Sequence, residues 1–186
     1  PPSLYSAMHE VQVSWAAERA LGNDNGYETS GIPGTWGSWS MCDTMQWAHQ
    51  YRLKISPDQG ASDDVALTSV ELQCSDWSGS AFSTVSTANG DDLGWGTWTS
   101  TEACATSAPP FIDAFDVRFE PYHVVDSTAA SAVSFYCGGS EHLSVPAQSA
   151  PDWGTHFTTS KVACSSGSAI CGVQAQVQAN QGYSSD

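Results

Sequence analysis

An internal repeat restricts the architecture of this chain more than any other feature. TWGSWS at Thr35–Ser40, GWGTWT at Gly94–Thr99 and DWGTHF at Asp152–Phe157 place Trp36, Trp95 and Trp153 in one register, 59 and 58 residues apart. Self-similarity at a nearly fixed period marks a body built of stacked equivalent units, each unable to bury its apolar face alone. A cysteine follows each anchor (Cys42, Cys104, Cys164), and then an alternating run: YRLKI at Tyr51–Ile55, FDVRF at Phe115–Phe119, VQAQV at Val173–Val177. In an extended chain Tyr51, Leu53 and Ile55 share one face while Arg52 and Lys54 share the other, which describes a half-buried strand. Two units then close with VELQC and VSFYC, in which Val70, Leu72 and Cys74 match Val133, Phe135 and Cys137. The units run roughly over 16–74, 75–137 and 138–186 of a single domain, 1–186.

The third unit follows the pattern only as far as Asp186, which falls on Asp64, as Gln181-Gly182 falls on Gln59-Gly60. Its closing strand is expected at the other end of the sequence. AMHEVQVSW, Ala7–Trp15, sets Val11, Val13 and Trp15 over Val70, Leu72 and Cys74, and Trp15 precedes Trp36 by the same 21 residues that separate Cys74 from Trp95. The expectation is a permuted three-unit repeat. Its N-terminal strand completes the third sheet, in cis or in a neighbouring subunit, and cis closure brings the termini together.

Length and composition agree with one all-β domain. The 186 residues suffice for a single real core; hydrophobic residues make up 40% and charged residues 13% of a chain rich in Ser, Thr and Gly, which suits short strands and polar turns. A net charge of -15 leaves no cluster of Lys and Arg to neutralise phosphates, so neither nucleic acid nor an anionic membrane is an expected partner. No apolar run approaches the roughly 18 residues of a spanning helix, and PPSLYSAMHE lacks the basic start and apolar middle of a secretion signal, so the chain reads as an already processed form.

Six cysteines without zinc-ribbon spacing read as disulfides of an oxidising, extracellular compartment. Cys42 to Cys74 spans 32 residues and Cys104 to Cys137 spans 33, which makes them equivalent bridges within the first two units. Trp15 occupies the slot in which Cys164 would find its partner, so Cys171, across the short SSGSAI segment, is the expected alternative. Each bridge over about 30 residues stabilises by roughly 3–4 kcal/mol in the chain-entropy model.

The recurring pattern of a Trp-Gly-x-Trp anchor, a cysteine, an alternating strand, an acidic Asp-Asp-x-Ala-Leu turn and a closing strand ending in cysteine resembles the vitelline membrane outer layer protein I family. GTWGSWSMC through DDVALTSVELQC carries the best match, and coverage is roughly Gly34–Asp186. The resemblance implies a β-prism of three Greek-key sheets with pseudo-threefold symmetry, found in extracellular coats, and related prisms in lectins imply carbohydrate binding. Fold by itself does not fix function. Trp15 in a cysteine slot and His156-Phe157 in the third anchor depart from the family pattern, so its third-unit features are not carried over.

Candidate chemistry lies in the turns and in the aromatic residues. Asp63, Asp64, Asp126 and Asp186 recur before the closing strands, where they can accept hydrogen bonds from sugar hydroxyls; the plainer reading is that they cap the turns through their own backbone. Asp91, Asp92 and Asp113 add carboxylates, but a glycosidase needs two at a set separation with the pKa of one raised by an apolar setting. No enzyme is expected. Trp36, Trp39, Trp95, Trp98 and Trp153 are assigned to the core, whereas Trp47, Trp77 and Tyr183, outside the register, are candidates for stacking on sugars. His9, His49, His123, His142 and His156 show no metal-ligand spacing, and no cofactor motif is present. Two functions follow as expectations: a secreted structural protein that associates with itself or with other coat proteins, with donor-strand exchange into filaments as one mode, or a carbohydrate-binding module.

Overall fold

The computed structural model describes residues 10–15, 35–36, 38–56, 67–79, 82–87, 96–104, 111–119, 130–138, 141–143, 157–158, 161–164 and 166–177. All regular structure among them is β. The strands are β1 (Glu10–Trp15), β2 (Thr35–Trp36), β3 (Ser40–Met41), β4 (Trp47–Ile55), β5 (Leu67–Ser75), β6 (Phe82–Ser86), β7 (Thr97–Trp98), β8 (Glu102–Ala103), β9 (Ile112–Phe119), β10 (Ala130–Cys137), β11 (Glu141–Leu143), β12 (Phe157–Thr158), β13 (Val162–Ala163) and β14 (Ala169–Val177).

They form three sheets, each centred on one of the alternating runs. The first has the order β6-β5-β4-β7, with β8 also on β4; the second β11-β10-β9-β12, with β13 also on β9; the third β1-β14-β2, with β3 also on β14. In the first two, three strands joined in sequence are followed by a fourth that returns beside the first, which is Greek-key order. The anchor of each unit therefore pairs with the long strand of another: β7 and β8 of the second unit with β4, β12 and β13 of the third with β9, β2 and β3 of the first with β14. The exchange is cyclic.

Register follows from burial of the alternate residues. Leu53 pairs with Val70 and Tyr51 with Leu72 in the first sheet, as Val117 does with Val133 and Phe115 with Phe135 in the second. All eight lie in one buried cluster with Ile170 and Val173 of β14. The Tyr51 and Phe135 rings meet edge-on at 4.6 Å between centroids, a geometry favoured by the ring quadrupoles. A one-residue slip would turn these side chains outward, so burial holds the register tightly.

Each long strand carries a bulge near its start. Pairing shifts between Ala48 and Gln50 of β4, between the partners Ala114 and Ile112 on β9, and between Ile170 and Val173 on β14. His49 and Asp113 are thus the extra residues of β4 and β9, and the shift on β14 spans Cys171 and Gly172. The backbone carbonyls of His49, Asp113 and Cys171 accept hydrogen bonds from Cys104, Cys164 and Cys42 at 3.0, 2.8 and 2.8 Å. The bulge turns one carbonyl of each strand toward the cysteine of the incoming unit.

Counting from the cysteines corrects the tryptophan register. Trp36, Trp98 and Thr158 oppose Gln176, Lys54 and Arg118, which are matching positions of the three long strands. Trp98 thus corresponds to Trp36, because the spacing from anchor to cysteine differs among the units. Trp98 also lies on an outward position rather than in the core: the Arg52 guanidinium stacks over its ring at 4.5 Å. Between β7 and β8, Thr99 bridges the ladder, its N–H donating to Leu53 O at 2.8 Å and its hydroxyl accepting from Leu53 N at 3.0 Å.

The third sheet is closed by β1, and it is closed with the opposite polarity. β5 and β10 run antiparallel to their long strands, whereas β1 runs parallel to β14, with Val11 opposite Ile170, Val13 opposite Val173 and Trp15 opposite Ala175. Val11, not Trp15, therefore takes the position that Cys74 holds opposite Ala48 and Cys137 opposite Ile112.

Both bridges of the first two units are formed, Cys42–Cys74 and Cys104–Cys137, each with 5.8 Å between Cα atoms. The expected Cys164–Cys171 bridge is absent: both residues are thiols. Cys164 continues β13 against β9 of the second sheet, while Cys171 sits within β14 of the third, so their backbones are held by different ladders despite the short segment between them.

Candidate functional site at the aromatic end

The starts of the long strands build one end of the body. Trp47, Phe111 and Ala169 occupy the same place at the head of the three strands and cluster with Cys171, with Met41 and Cys42 packed against them. The Trp47 and Phe111 rings lie 5.4 Å apart, and Trp77, two residues beyond β5, lies 5.8 Å from Phe111. Phe111 thus meets both indoles at a tilt. Aromatic pairs at this distance contribute beyond their buried area, so the end is rigid where its rings meet.

The two tryptophans proposed for sugar stacking separate here. Trp47 is 7% exposed and belongs to the core, because it heads β4 on the inward side of the first bulge. Trp77 is 51% exposed. Met45 at 50% and Phe82 at 65% widen the apolar surface of the first sheet at this end, with Phe82 5.7 Å from the His49 ring. Burial lowers the pKa of His49, against a hydrogen bond donated to the Gln73 backbone that raises it.

Polar groups border these rings. The Ser78 hydroxyl donates to Asp76 Oδ1 at 2.8 Å, and Gly79 N–H to Asp76 O at 3.1 Å, which fixes the turn that presents Trp77. On the adjoining turn, Gln46 N–H donates to Asp43 O at 3.0 Å, with Met45 at a φ of 65°, a left-handed conformation costly for a side chain of this size. Ser83 Oγ donates to Gln46 Oε1 at 2.5 Å and accepts from Asp43 N–H at 3.3 Å, joining this turn to β6. An exposed indole flanked by carboxylate and hydroxyl groups can stack on the apolar face of a ring while its neighbours accept or donate hydrogen bonds.

Asp63, Asp64, Asp126 and Asp186 lie outside the described residues, as do Asp91, Asp92, Trp95, Trp153 and Tyr183. Asp113 sits at the bulge of β9, where its backbone carbonyl accepts from the Cys164 N–H. Among the described residues no group of three or more His, Cys, Asp or Glu side chains could hold a metal ion. Sequence reasoning missed Phe82 and Met45, exposed apolar residues that do not follow the repeat.

Elsewhere the polar contacts lie on the outward faces of the sheets. Arg52 grips Glu71 across the strands, Nε to Oε1 at 2.6 Å and Nη2 to Oε2 at 2.8 Å. Tyr136 donates to Asp116, and Lys161 lies over the Tyr136 ring at 4.8 Å. Each of these groups thus has a charged or aromatic neighbour on its own sheet.

An all-β body of three sheets exchanging anchor strands in a cycle, with disulfides sewn between sheets, is the class of protein that geometry defines. A family model described as vitelline membrane outer layer protein I (VOMI) matches residues 25–186. The chain belongs to that family, named for the outer layer of an egg coat.

Proposed function

We propose that this protein is a secreted, non-enzymatic structural component of an extracellular coat, with the sheets arranged as a β-prism. The observation that supports it best, beside the family match, is the placement of the bridges. Cys42 follows a strand of the third sheet and Cys74 lies in the first; Cys104 follows a strand of the first and Cys137 lies in the second. Disulfides that tie sheet to sheet limit the opening of the core, which suits a durable extracellular body. Assembly by exchange of β1 into a neighbour's third sheet is the proposed mode, in keeping with β1 pairing, among the described residues, with β14 at the edge of its sheet. Sedimentation of the full chain and of a chain lacking Pro1–Trp15 tests this. The full chain is expected to self-associate in a concentration-dependent way and the shortened one to lose that association; equal association would remove strand exchange.

A second reading rests on Trp77, whose exposed ring beside Asp76 and Ser78 fits a neutral saccharide. In a titration against neutral oligosaccharides, Trp77→Ala is expected to weaken binding at least tenfold, with a small loss of thermal stability from the missing Phe111 contact. Binding that survives the substitution would exclude this surface.

A further inference from the structure

Among the described residues, one long sheet edge lacks the usual protection. The first sheet ends at β6, five residues with neither a charge nor a proline, paired with β5 residue for residue without a bulge. The other edges differ. Across the first sheet from β6 lie β7 and β8, of two residues each, and two-residue strands likewise close one side of the second and third sheets. On the remaining sides, β11 has three residues that include Glu141 and His142, and β1 carries Glu10 and a shift in its ladder. Shortness, charge and bulges keep sheet edges from pairing with other chains, and β6 relies on none of them.

Hydrogen-bond phase fixes what that edge offers. Thr87 N–H donates to Val70 O at 2.9 Å, and antiparallel alternation then turns the N–H and C=O of Val85 and Ser83 toward β5 and those of Phe82, Thr84 and Ser86 away from it. Among the described residues no strand pairs with that side. Phe82, the most exposed of the large apolar side chains described, and Thr84 both lie open to solvent. The strand is also pinned near both ends: the Ser83 hydroxyl bonds with Gln46 and Asp43, and the Thr87 hydroxyl accepts from Val70 N–H. A strand ordered in advance pays less entropy when it pairs.

We propose that this edge pairs with the same edge of a second copy, antiparallel about a twofold axis at Thr84. In that register Thr84 lies opposite the partner's Thr84 and Phe82 opposite the partner's Ser86, and each pair exchanges both of its outward N–H···O bonds. Both edges are consumed, so the contact closes at two molecules. Charge selects a second copy as the occupant. With a net charge of -15, two chains repel over most of their surfaces and meet with least repulsion along an uncharged strip. Glu71, opposite Ser86 on β5, is gripped by Arg52, so this carboxylate reaches the seam already paired. The dimer is separate from exchange of β1, which joins chains through the third sheet and can continue from one molecule to the next.

Sedimentation of the full chain and of Thr84 variants tests the seam. The full chain is expected to show a monomer–dimer equilibrium. Thr84→Pro removes a donor that β5 does not use and is expected to weaken the dimer at least tenfold. Thr84→Lys lowers the net negative charge, so a contact governed by overall repulsion would tighten; pairing at this seam sets lysine against lysine and is expected to weaken it severalfold. An equimolar mixture of Thr84→Lys and Thr84→Glu chains is expected to recover the dimer, which also shows that both variants fold. A full chain with no dimer, a Thr84→Lys chain that dimerises as tightly as the unsubstituted one, or a mixture that stays apart would each overturn the proposal. Deleting Pro1–Trp15 separates the two modes: species larger than a dimer are expected to disappear and the dimer to remain, whereas loss of the dimer itself would assign it to β1.

Discussion

The first and second sheets differ from the third in how they are closed. In the first two, an antiparallel strand adjacent in sequence buries Val70 and Leu72, or Val133 and Phe135, and brings a cysteine that is bridged to the neighbouring sheet. In the third, a strand from the far end of the chain lies parallel, with valine in the cysteine's place and Cys164 left as a thiol. Equivalent long strands thus accept closing strands of either direction, which shows that the bulge and the incoming anchor, common to all three sheets, organise the body, while the closing strand is the variable part.

The largest effects should come from the inner face of the antiparallel sheets. Phe135→Ala, at a site fully buried against Tyr51, is expected to destabilise by about 3–5 kcal/mol in chemical denaturation. Val13→Ala, at the matching register of β1, is expected to cost less; an equal loss would erase the distinction between the sheets. Replacing Cys42 and Cys74 together by alanine releases a bridge spanning 32 residues and is expected to cost about 3–4 kcal/mol, while Cys164→Ser, which breaks no bridge, should shift the same midpoint far less.

A smaller effect belongs to the turn that leads into β7. Gly96 has a φ of 84°, and a Cβ there would come within 2.7 Å of the Ile55 carbonyl, so Gly96→Ala is expected to lower stability by about 1–3 kcal/mol, read from the thermal midpoint. Arg52→Ala removes a pair whose side chains are 34% and 10% exposed; after screening by solvent the loss should be about 0.2–1 kcal/mol. Alkaline pH gives the last comparison. The hydrogen bond to Asp116, then burial and the charge of Asp116, push the Tyr136 phenol up to about 12 from 10.0. Its stabilising contribution is complete below pH 10.0 and lost as pH rises through about 12, so Tyr136→Phe should flatten the stability profile over that window.

Much of this was legible in the residues. Strict alternation in YRLKI, FDVRF, VELQC and VSFYC predicts β4, β9, β5 and β10 and their inward residues, and nearly equal spacing predicts both bridges. The anchors were harder, because a tryptophan motif with a variable distance to its cysteine does not say which tryptophan meets which strand. Trp98 covers cations on an outward face, and Trp47 lies buried at the head of β4 rather than on the surface. Of the proposed sugar site, Trp77 alone is both described and exposed, and the exposed Met45 and Phe82 carry no signal in the repeat.

By itself the sequence determined the all-β class, the faces of the long strands and the pairing of four cysteines, since each is written in spacing or in the alternation of side chains. Tertiary structure alone decided the cyclic exchange of anchors and the direction of β1. Alternation of period two reads the same from either end, so Val11, Val13 and Trp15 fit the third sheet in both directions; polarity is a property of the hydrogen-bond ladder, which exists only once the strands have met.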